Sequence, residues 1–408
     1  MHPRATKSRF PPAFFILFLG SVLGCSSGDD TAPAADEPST PECSEDTGCA
    51  SDERCEAGEC LPTDDQPSAP AITEADLVSL LDESGIADMA VILGNADGVQ
   101  FTYSKGDLTT SSIVPIASAS KWLSAMIVMR LVEEGVLSLS DNPQDHLSFW
   151  TQSPDDPRSR ITLAQLLSFT SGFEGSTGLG AQEGVSCIED AETTIEACAE
   201  AIFESGLKAD GGYFAYEPGT TFYYGPIHLH IAAAMAVSAT GQRWNQLFRQ
   251  YVGEGLGLAL QTGFGLPSLE NARASGGATA SASDYATILY AYITGQILMD
   301  DSIEAMSQDR TPVESVAMES VPVVASDGVA WHYAFGSWRE CNQPTYDETC
   351  EGDGVVSSPG AFGFYPWWDR RDDTWGVIAA QIPVGGSRVI VPVGQSLHGL
   401  AKGVAFSP

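Results

Sequence analysis

Basic residues are scarce in this chain of 408 residues, in which 19 Lys and Arg stand against 54 Asp and Glu. The formal net charge is −35. Nucleic-acid binding needs Lys and Arg to neutralise phosphates, so this composition argues against a nucleic-acid partner. The negative charge favours solubility and says little about chemistry.

Histidine is also scarce, with six residues, and none stands in a recognisable arrangement of nucleophile, base and acid. His228 and His230 occupy alternate positions and could chelate a metal, but no third ligand is evident, so we expect no metal site. Beyond residues 1–24, no apolar run is long enough to span a bilayer. Gly and Pro are spread without an internal repeat, so residues 73–408 are expected to form a globular domain.

The amino terminus is a predicted export signal. Residues 1–24 place basic residues ahead of an apolar run that is too short and wrongly flanked for a transmembrane span. The residues before Cys25 resemble a bacterial lipoprotein cleavage box, which implies a lipidated Cys25; a plain signal peptide is the alternative. We therefore expect a lipid-anchored protein on the periplasmic or outer side of a bacterial cell envelope.

Residues 25–72 are rich in Asp, Glu, Pro, Ser and Thr, which predicts a solvated tether. Within them, residues 43–60 carry four cysteines that could close two disulfides in three alternative pairings, because export favours oxidation. A zinc site is the other reading of this cluster. Its members are Cys43, Cys49, Cys55 and Cys60.

The remaining cysteines form two local pairs in the sequence, Cys187 with Cys198 and Cys341 with Cys350. With nine cysteines in the chain, one for lipid, four in the cluster and four in these pairs, none is left to act as a nucleophile.

The stretch 115–135 contains the strongest catalytic signal. Ser118 and Lys121 are three residues apart, so they share a face if a helix begins near Ser118, and the hydroxyl could give its proton to the amine. A helix amino terminus disfavours a second cation and favours a developing oxyanion, so it helps to keep Lys121 usable as a base. The apolar run Trp122–Val132 predicts a helix buried at the domain centre, with Gly135 as its end.

A second Ser-x-x-Lys spacing occurs at Ser205 and Lys208, but turn-rich residues follow it and no buried helix holds the pair. At Ser118, by contrast, the spacing coincides with a long apolar helix. This combination matches the serine and lysine signature of β-lactamases and penicillin-binding proteins.

The coarse pattern predicts an α/β (α+β) fold. Strands at both ends of residues 73–408 flank a helical middle, so we expect one antiparallel sheet completed by both ends, flanked by helices, with a helical subdomain. The predicted elements are a helix after Thr73, a hairpin of 89–93 and 99–103, helices within 163–298, strands 331–338, 355–365 and 374–382, and a closing helix 389–404.

Five blocks, in order, resemble the serine β-lactamase-related hydrolases, the group of class C β-lactamases, DD-peptidases and related esterases. The blocks are Ile116–Lys121, Gly135–Pro143, Ile161–Gly172, Pro218–Tyr224 and Gly276–Asp284. The resemblance covers about residues 73–403 and implies a β-lactamase/transpeptidase-like fold whose site lies between the sheet and the helical subdomain. It implies that Ser118 is the nucleophile, that Lys121 and Tyr224 share the proton transfers, and that no cofactor is needed.

Two motifs depart from the family pattern. Tyr-Ser/Ala-Asn appears as Tyr224, Gly225 and Pro226, without the amide that would hold a substrate carbonyl. Lys-Thr-Gly or His-x-Gly falls on 358–360, where Ser358 and Gly360 are the expected substrate-binding residues and the cation is missing. The family's oxyanion hole maps to the N–H groups of Ser118 and Ala361, so neither donor is lost.

The sequence therefore predicts a serine hydrolase that acts through an acyl-enzyme on Ser118, on an ester or amide rather than as an efficient penicillinase. Its partner would be a small-molecule or peptide substrate, with membrane attachment through lipid; the sequence does not indicate an oligomeric state. The alternative is a catalytically weak envelope protein of the same fold that recognises cell-wall peptides.

Overall fold

The computed structural model describes residues 72–174, 186–312, 314–319, 328–348, 350, 354–383 and 385–401, and the backbone of residues 53–56 and 59–62. The chain divides into two units, residues 1–69 and 70–408. In the first unit, β1 (Glu53–Glu56) and β2 (Glu59–Pro62) pair as an antiparallel hairpin in which Cys55 stands opposite Cys60. The predicted signal peptide, Cys25, Cys43 and Cys49 lie outside the described residues, so the lipid anchor and the disulfide cluster stay predictions.

The second unit combines helices with a large sheet. Its helices are α1 (Glu74–Glu83), α2 (Ser120–Glu133), α3 (Leu163–Leu167), α4 (Ile195–Glu204), α5 (Ile227–Thr240), α6 (Trp244–Tyr251), α7 (Ala282–Ile293), α8 (Asp300–Ser307) and α9 (Gly386–Ala401). Its strands are β3 (Met89–Asn95), β4 (Gly98–Lys105), β5 (Val114–Pro115), β6 (Thr221–Phe222), β7 (Gly263–Phe264), β8 (Ala278–Ala280), β9 (Ala317–Met318), β10 (His332–Tyr333), β11 (Trp338–Arg339), β12 (Val355–Ser357), β13 (Phe364–Asp369) and β14 (Thr374–Ala380).

Seven strands form one antiparallel sheet in the order β10-β11-β12-β13-β14-β3-β4. The early hairpin β3–β4 joins the late strands through β14, which pairs with β3 along six residues from Trp375 to Ala380. Both ends of the unit therefore complete one sheet, and the predicted α+β class is confirmed. A three-stranded sheet, β5-β8-β7, and a parallel pair, β6-β9, lie outside it.

Helices cover both faces of the sheet. Phe364 and Tyr365 are neighbours on β13, so their side chains point to opposite faces. Tyr365 packs against Gly394 of α9, and Phe364 packs against Tyr285 of α7 with ring centroids 5.3 Å apart. Helix α2 is buried on nearly all sides, as its apolar sequence predicts, and α3, α5 and α6 pack in the helical middle. Gly135, with φ of 70°, ends α2 in the left-handed conformation that glycine tolerates.

Two predicted strands are wrong in detail, because each contains a turn. Residues 331–338 form β10 and β11, and the chain reverses at Gly336, where φ is 72° and a Cβ would lie 2.5 Å from the Lys121 carbonyl oxygen. Residues 355–365 form β12 and the start of β13, separated at Pro359, which has no N–H for a ladder, and at Gly363, where φ is 91°.

Both local cysteine pairs are disulfides, Cys187–Cys198 and Cys341–Cys350, with S–S distances of 2.05 and 2.00 Å. Among the described residues, no helix combines the length and the apolar character that crossing a membrane requires.

Candidate active site

The nucleophile segment makes an abrupt turn before α2. Strand β5 leads into one 3₁₀ turn, Ala117–Ala119, and α2 follows from Ser120. Ser118 therefore lies just before α2, in a 3₁₀ turn that runs directly into this helix. Ala117 has φ of 46°, a left-handed conformation that costs a non-glycine residue about 1–2 kcal/mol, and this strain lies directly beside the candidate nucleophile.

Lys121 contacts the Ser118 hydroxyl. Its Nζ lies 3.0 Å from Ser118 Oγ and 2.6 Å from the carbonyl oxygen of Ser275. Burial, and secondarily the positive charge of Arg273, lower the pKa of Lys121 from 10.5 to about 7. At neutral pH a substantial fraction of the amine is thus uncharged and able to accept a proton.

Tyr224 closes the other side of this pair. The Lys121 Nζ lies 4.8 Å from the centroid of the Tyr224 ring, which stacks on Trp338 at 5.3 Å. Burial raises the pKa of Tyr224 to about 12, although hydrogen bonds with Ser118 and Trp338 oppose this shift. The phenol therefore stays protonated at neutral pH and can pass a proton on.

The segment that carries Tyr224 is held by backbone hydrogen bonds. Tyr223 N–H donates to the Phe169 carbonyl at 3.0 Å, and α5 begins directly after Pro226. Pro226 carries no side-chain donor or acceptor, so the structure offers no side-chain hydrogen bond at this position.

The third motif packs against the nucleophile turn. Ser358, which is 3% exposed, donates from Oγ to the Ser118 carbonyl at 3.0 Å. Gly360 lies so close to the Ile116 carbonyl that a Cβ would stand 2.2 Å from its oxygen. Gly360 N–H donates to the Phe364 carbonyl at 2.7 Å, which closes the turn.

The two expected oxyanion donors are the N–H groups of Ser118 and of Ala361, which directly follows Gly360. In the described part of the chain, neither the Ser118 N–H nor the Ala361 N–H donates a hydrogen bond to another protein group. The Ala361 carbonyl accepts from Gly386 N–H at 2.8 Å, which fixes the peptide to the start of α9. Both donors are thus available to a ligand oxygen.

A turn at 273–277 supplies a contact that the sequence did not predict, the Ser275 carbonyl. Two serines of α2 anchor this turn: Ser124 Oγ donates to the Ala274 carbonyl at 2.6 Å, and Ser120 Oγ accepts from Ala278 N–H at 3.1 Å. A Cβ at Gly277 would lie 2.2 Å from the Leu266 carbonyl oxygen, so only glycine fits there. The consecutive glycines were the available sequence signal for this close approach.

The alternate histidines are buried in the core. His228 bonds through Nδ1 to Ser171 Oγ at 2.8 Å and through Nε2 to the Tyr223 carbonyl at 2.9 Å. Burial lowers the pKa of His228 to about 3 and that of His230 to about 4. Among the residues that the structure describes, no group of three His, Cys, Asp or Glu side chains could hold a metal ion.

The second Ser-x-x-Lys copy does not form a pair. Ser205 caps α4 and donates to the Ile202 carbonyl at 2.7 Å, while Lys208 is 62% exposed and bound to Glu174. Ser118 and Lys121 are thus in contact while Ser205 and Lys208 have other partners, as the sequence around each copy predicts.

The β-lactamase family model matches residues 74–391 of the chain. The chain belongs to the β-lactamase family. This match spans every candidate site residue from Ser118 to Ala361. Members of the family are serine hydrolases, and the similar proteins include esterase, acyltransferase and penicillin-binding relatives.

Penicillin-binding protein 4 of Amycolatopsis lactamdurans is 27% identical over 151 residues, which are 37% of this chain and 36% of that protein. The match thus spans about a third of that relative's length. A putative β-lactamase from Bacteroides dorei is 25% identical, with a TM-score of 0.63 over 80% of this chain and 98% of its own.

Two further solved structures share the fold at lower identity. EstCE1, a hydrolase with promiscuous acyltransferase activity, is 17% identical, with a TM-score of 0.60 over 78% of this chain and 97% of its own. A mutant of simvastatin synthase from Aspergillus terreus is 14% identical, with a TM-score of 0.59 over 80% of this chain and 97% of its own.

Proposed function

We propose that this chain is a serine hydrolase that forms an acyl-enzyme on Ser118. The observation that carries the proposal is the 3.0 Å contact between Lys121 Nζ and Ser118 Oγ, made by an amine whose pKa burial lowers to about 7. A serine hydroxyl is a weak nucleophile until a neighbouring base takes its proton, and this amine meets that need.

The reaction would proceed in two steps. Ser118 Oγ attacks the substrate carbonyl as its proton passes to Lys121, and the N–H groups of Ser118 and Ala361 bind the resulting oxyanion, each worth about 3–4 kcal/mol in other enzymes. Through Tyr224 the proton reaches the leaving alcohol or amine, whose bond to the carbonyl carbon breaks. Water then gives a proton to the same pair and attacks the acyl carbon. The bond from that carbon to Ser118 Oγ breaks, the proton returns to Oγ, and the acid is released.

We propose an ester or amide substrate, with neutral esters favoured over penicillins. The hydroxyl of Ser358 is buried and bonded to the Ser118 carbonyl, and it brings no cation to the site. Arg339 is buried and donates to Tyr346 and Ser307. Both terminal nitrogens of Arg273 are bonded within the protein, Nη1 to Glu189 and Nη2 to the Gly276 carbonyl. A carboxylated lactam would lose a charge-assisted hydrogen bond worth about 1.5–3 kcal/mol, which neutral esters never use.

Labelling with a fluorophosphonate tests the proposal, because an activated hydroxyl beside two free N–H donors attacks that phosphorus. Wild-type protein should be labelled and Ser118→Ala should not. Ser205→Ala, in the second Ser-x-x-Lys copy, is the matched control and should be labelled like wild type. Equal labelling of Ser118→Ala would overturn the assignment.

A second candidate function is recognition of cell-wall peptides with little turnover. The losses of the amide at Pro226 and of the cation at Ser358 favour it, because both remove groups that act on substrate. Wild-type protein that resists the probe, cleaves no ester, amide or lactam, and binds stem peptides in calorimetry would support this function.

We also propose that Cys25 is lipidated and holds the protein on the periplasmic or outer side of a bacterial envelope. The proposal rests on the basic and apolar character of residues 1–24 ahead of that cysteine. A tether between the anchor and the hydrolase unit would let the site reach substrates away from the membrane.

A further inference from the structure

An arginine–glutamate pair lies beside the catalytic lysine. One terminal nitrogen of Arg273, Nη1, pairs with Glu189, and the other, Nη2, donates to the Gly276 carbonyl at 3.2 Å. The Arg273 side chain is 24% exposed and that of Glu189 is 59% exposed. A Cβ at Gly276 would lie 3.2 Å from Arg273 Nε and 3.7 Å from the Ala117 carbonyl carbon, so the guanidinium packs against the nucleophile segment across that glycine.

The same turn presents a carbonyl to Lys121. Gly276 N–H and Gly277 N–H donate to the Arg273 carbonyl at 3.1 and 2.7 Å. Ser275 lies in the same turn, and its carbonyl accepts a hydrogen bond from Lys121 Nζ at 2.6 Å. The Arg273 side chain thus closes, through Gly276, the turn whose backbone orients the amine.

Arg273 supplies a positive charge that acts on Lys121. Lys121 contacts the hydroxyl of Ser118 and the ring of Tyr224, and it interacts electrostatically with the imidazole of His228 on α5 and the guanidinium of Arg273. The hydroxyl, the phenol and the imidazole are uncharged at neutral pH, because burial holds the pKa of Tyr224 at about 12 and that of His228 at about 3. Arg273 carries a full positive charge.

The turn that carries Glu189 is held in place by contacts that do not involve the Arg273 side chain. It ends the 3₁₀ turn Ser186–Glu189, which the Cys187–Cys198 disulfide ties to α4. Asn271 Nδ2 donates to the Cys187 carbonyl at 2.6 Å and to the Asp190 carbonyl at 2.8 Å, so this turn is also fastened to the chain just before Arg273.

We propose that Arg273 and Glu189 are positioning residues that set the charge state of Lys121. Through its bond to the Gly276 carbonyl, Arg273 holds the turn that presents the Ser275 carbonyl, and its positive charge beside the amine favours the neutral form of Lys121. Glu189 partly offsets that charge. The proposal rests on the proposed hydrolase function and adds two residues to it. It gives the disulfide-linked turn Ser186–Glu189 a part in setting the charge of Lys121, the general base.

Charge-removing variants test the proposal through the pH profile of kcat/KM on p-nitrophenyl butyrate, whose acid limb reports the free-enzyme base. In Arg273→Gln the amine should keep its proton to higher pH, moving the midpoint up by roughly half a unit to one unit. In Glu189→Gln the uncompensated arginine should move the midpoint down. Arg273→Lys should restore the wild-type midpoint even if it lowers kcat.

Arg243→Gln is the matched control, because Arg243 pairs with Glu270 near the same turn and both side chains are more than half exposed. Its midpoint should equal that of wild type. Variants that lower kcat but leave every midpoint unchanged would show a merely structural role and overturn the proposal.

A readout without turnover separates this proposal from the hydrolase assignment. The chain has five lysines, so selective ¹³Cε-lysine NMR can follow Lys121, assigned by its loss in Lys121→Met. If wild type cleaves no ester but the Lys121 titration moves up in Arg273→Gln, the hydrolase assignment fails and the positioning role stands. A Lys121 titration that is unchanged in folded Arg273→Gln refutes the positioning role.

Discussion

At the scale of single residues, the central feature is a lysine whose burial changes its chemistry. Residues three apart on a helical turn meet, so the Ser118–Lys121 contact was predictable from spacing. The Ser275 carbonyl was not, because it lies 154 residues further along the chain and its approach depends on glycines that fit no helical or strand period. Tyr224 was predictable only through family resemblance, since no local pattern links it to Ser118.

The lowered pKa of Lys121 predicts a pH profile. A protonated amine cannot accept the Ser118 proton, so kcat/KM on a neutral ester should rise with pH, with a midpoint near 7. Lys121→Met should lose about 10²–10⁴-fold in kcat/KM, and Lys208→Met, in the second Ser-x-x-Lys copy, should match wild type. Full activity of wild type well below its midpoint would exclude Lys121 as the base.

At the scale of elements, the hairpin β3–β4 and the helix α1 follow from periodicity and capping, and both form where the sequence predicts them. The predicted strand 355–365 is interrupted because the chain must turn against the nucleophile segment. Pro359 and Gly360 signal a break, but only the tertiary contact with Ile116 fixes where the strand stops.

The interrupted strand predicts a specificity change. Ser358→Lys should raise the kcat/KM of a carboxylated lactam relative to a neutral ester by roughly 10- to 100-fold, because a charge-assisted hydrogen bond is worth about 1.5–3 kcal/mol. Ser358→Ala is the control; it removes the bond to the Ser118 carbonyl and should lower both rates alike. Parallel assays with nitrocefin and p-nitrophenyl butyrate give the ratio, and an unchanged ratio in Ser358→Lys would disprove the role assigned to this position.

A buried carboxyl connects the sheet to its closing helix. Glu340, which follows β11, accepts hydrogen bonds from Ser357, Tyr365 and Gln395 of α9. Burial nevertheless raises the pKa of Glu340 from 4.5 to about 7. Because the folded-state pKa lies above the unfolded one, its stabilising contribution is complete below about 4.5 and is lost as pH rises through about 7.

The free energy of unfolding should report this titration. Glu340→Gln cannot ionise, so the stability of wild type relative to this variant should fall as pH increases between about 4.5 and 7. Urea denaturation at both ends of that window measures the difference, with the exposed Glu83→Gln as control. A difference that is constant across the window would contradict the assignment.

At the scale of the whole molecule, composition and order of elements predicted the architecture well. Apolar strands at both ends of the second unit had to pair with each other, and they do so through β14 and β3. The chain divides into two units, residues 1–69 and 70–408. The domains that composition predicts, with an acidic tether over residues 25–72, stay a prediction. The disulfide pairing of the cysteine cluster within 43–60 could not be predicted, because four cysteines allow three pairings.

The separation of anchor and site predicts that they can be uncoupled. Cys25→Ser should move the protein from the membrane fraction to the soluble fraction and leave kcat/KM on a neutral ester unchanged. Deletion of residues 26–70 should also preserve activity, because every candidate site residue lies in the second unit. Membrane retention of Cys25→Ser would argue against the lipid anchor, and inactivity of the folded deletion variant would mean that the tether contributes to the site.

The most direct test of the central claim is to trap the acyl-enzyme. Wild-type protein quenched in acid during turnover of p-nitrophenyl butyrate should gain the mass of one butyryl group, and peptide mapping should locate that group on Ser118. The group should accumulate to a higher level if deacylation is slower than acylation, and Ser118→Ala should remain unmodified. Ester cleavage by wild type and by Ser118→Ala at equal rates, with no butyrylated peptide, would contradict the account.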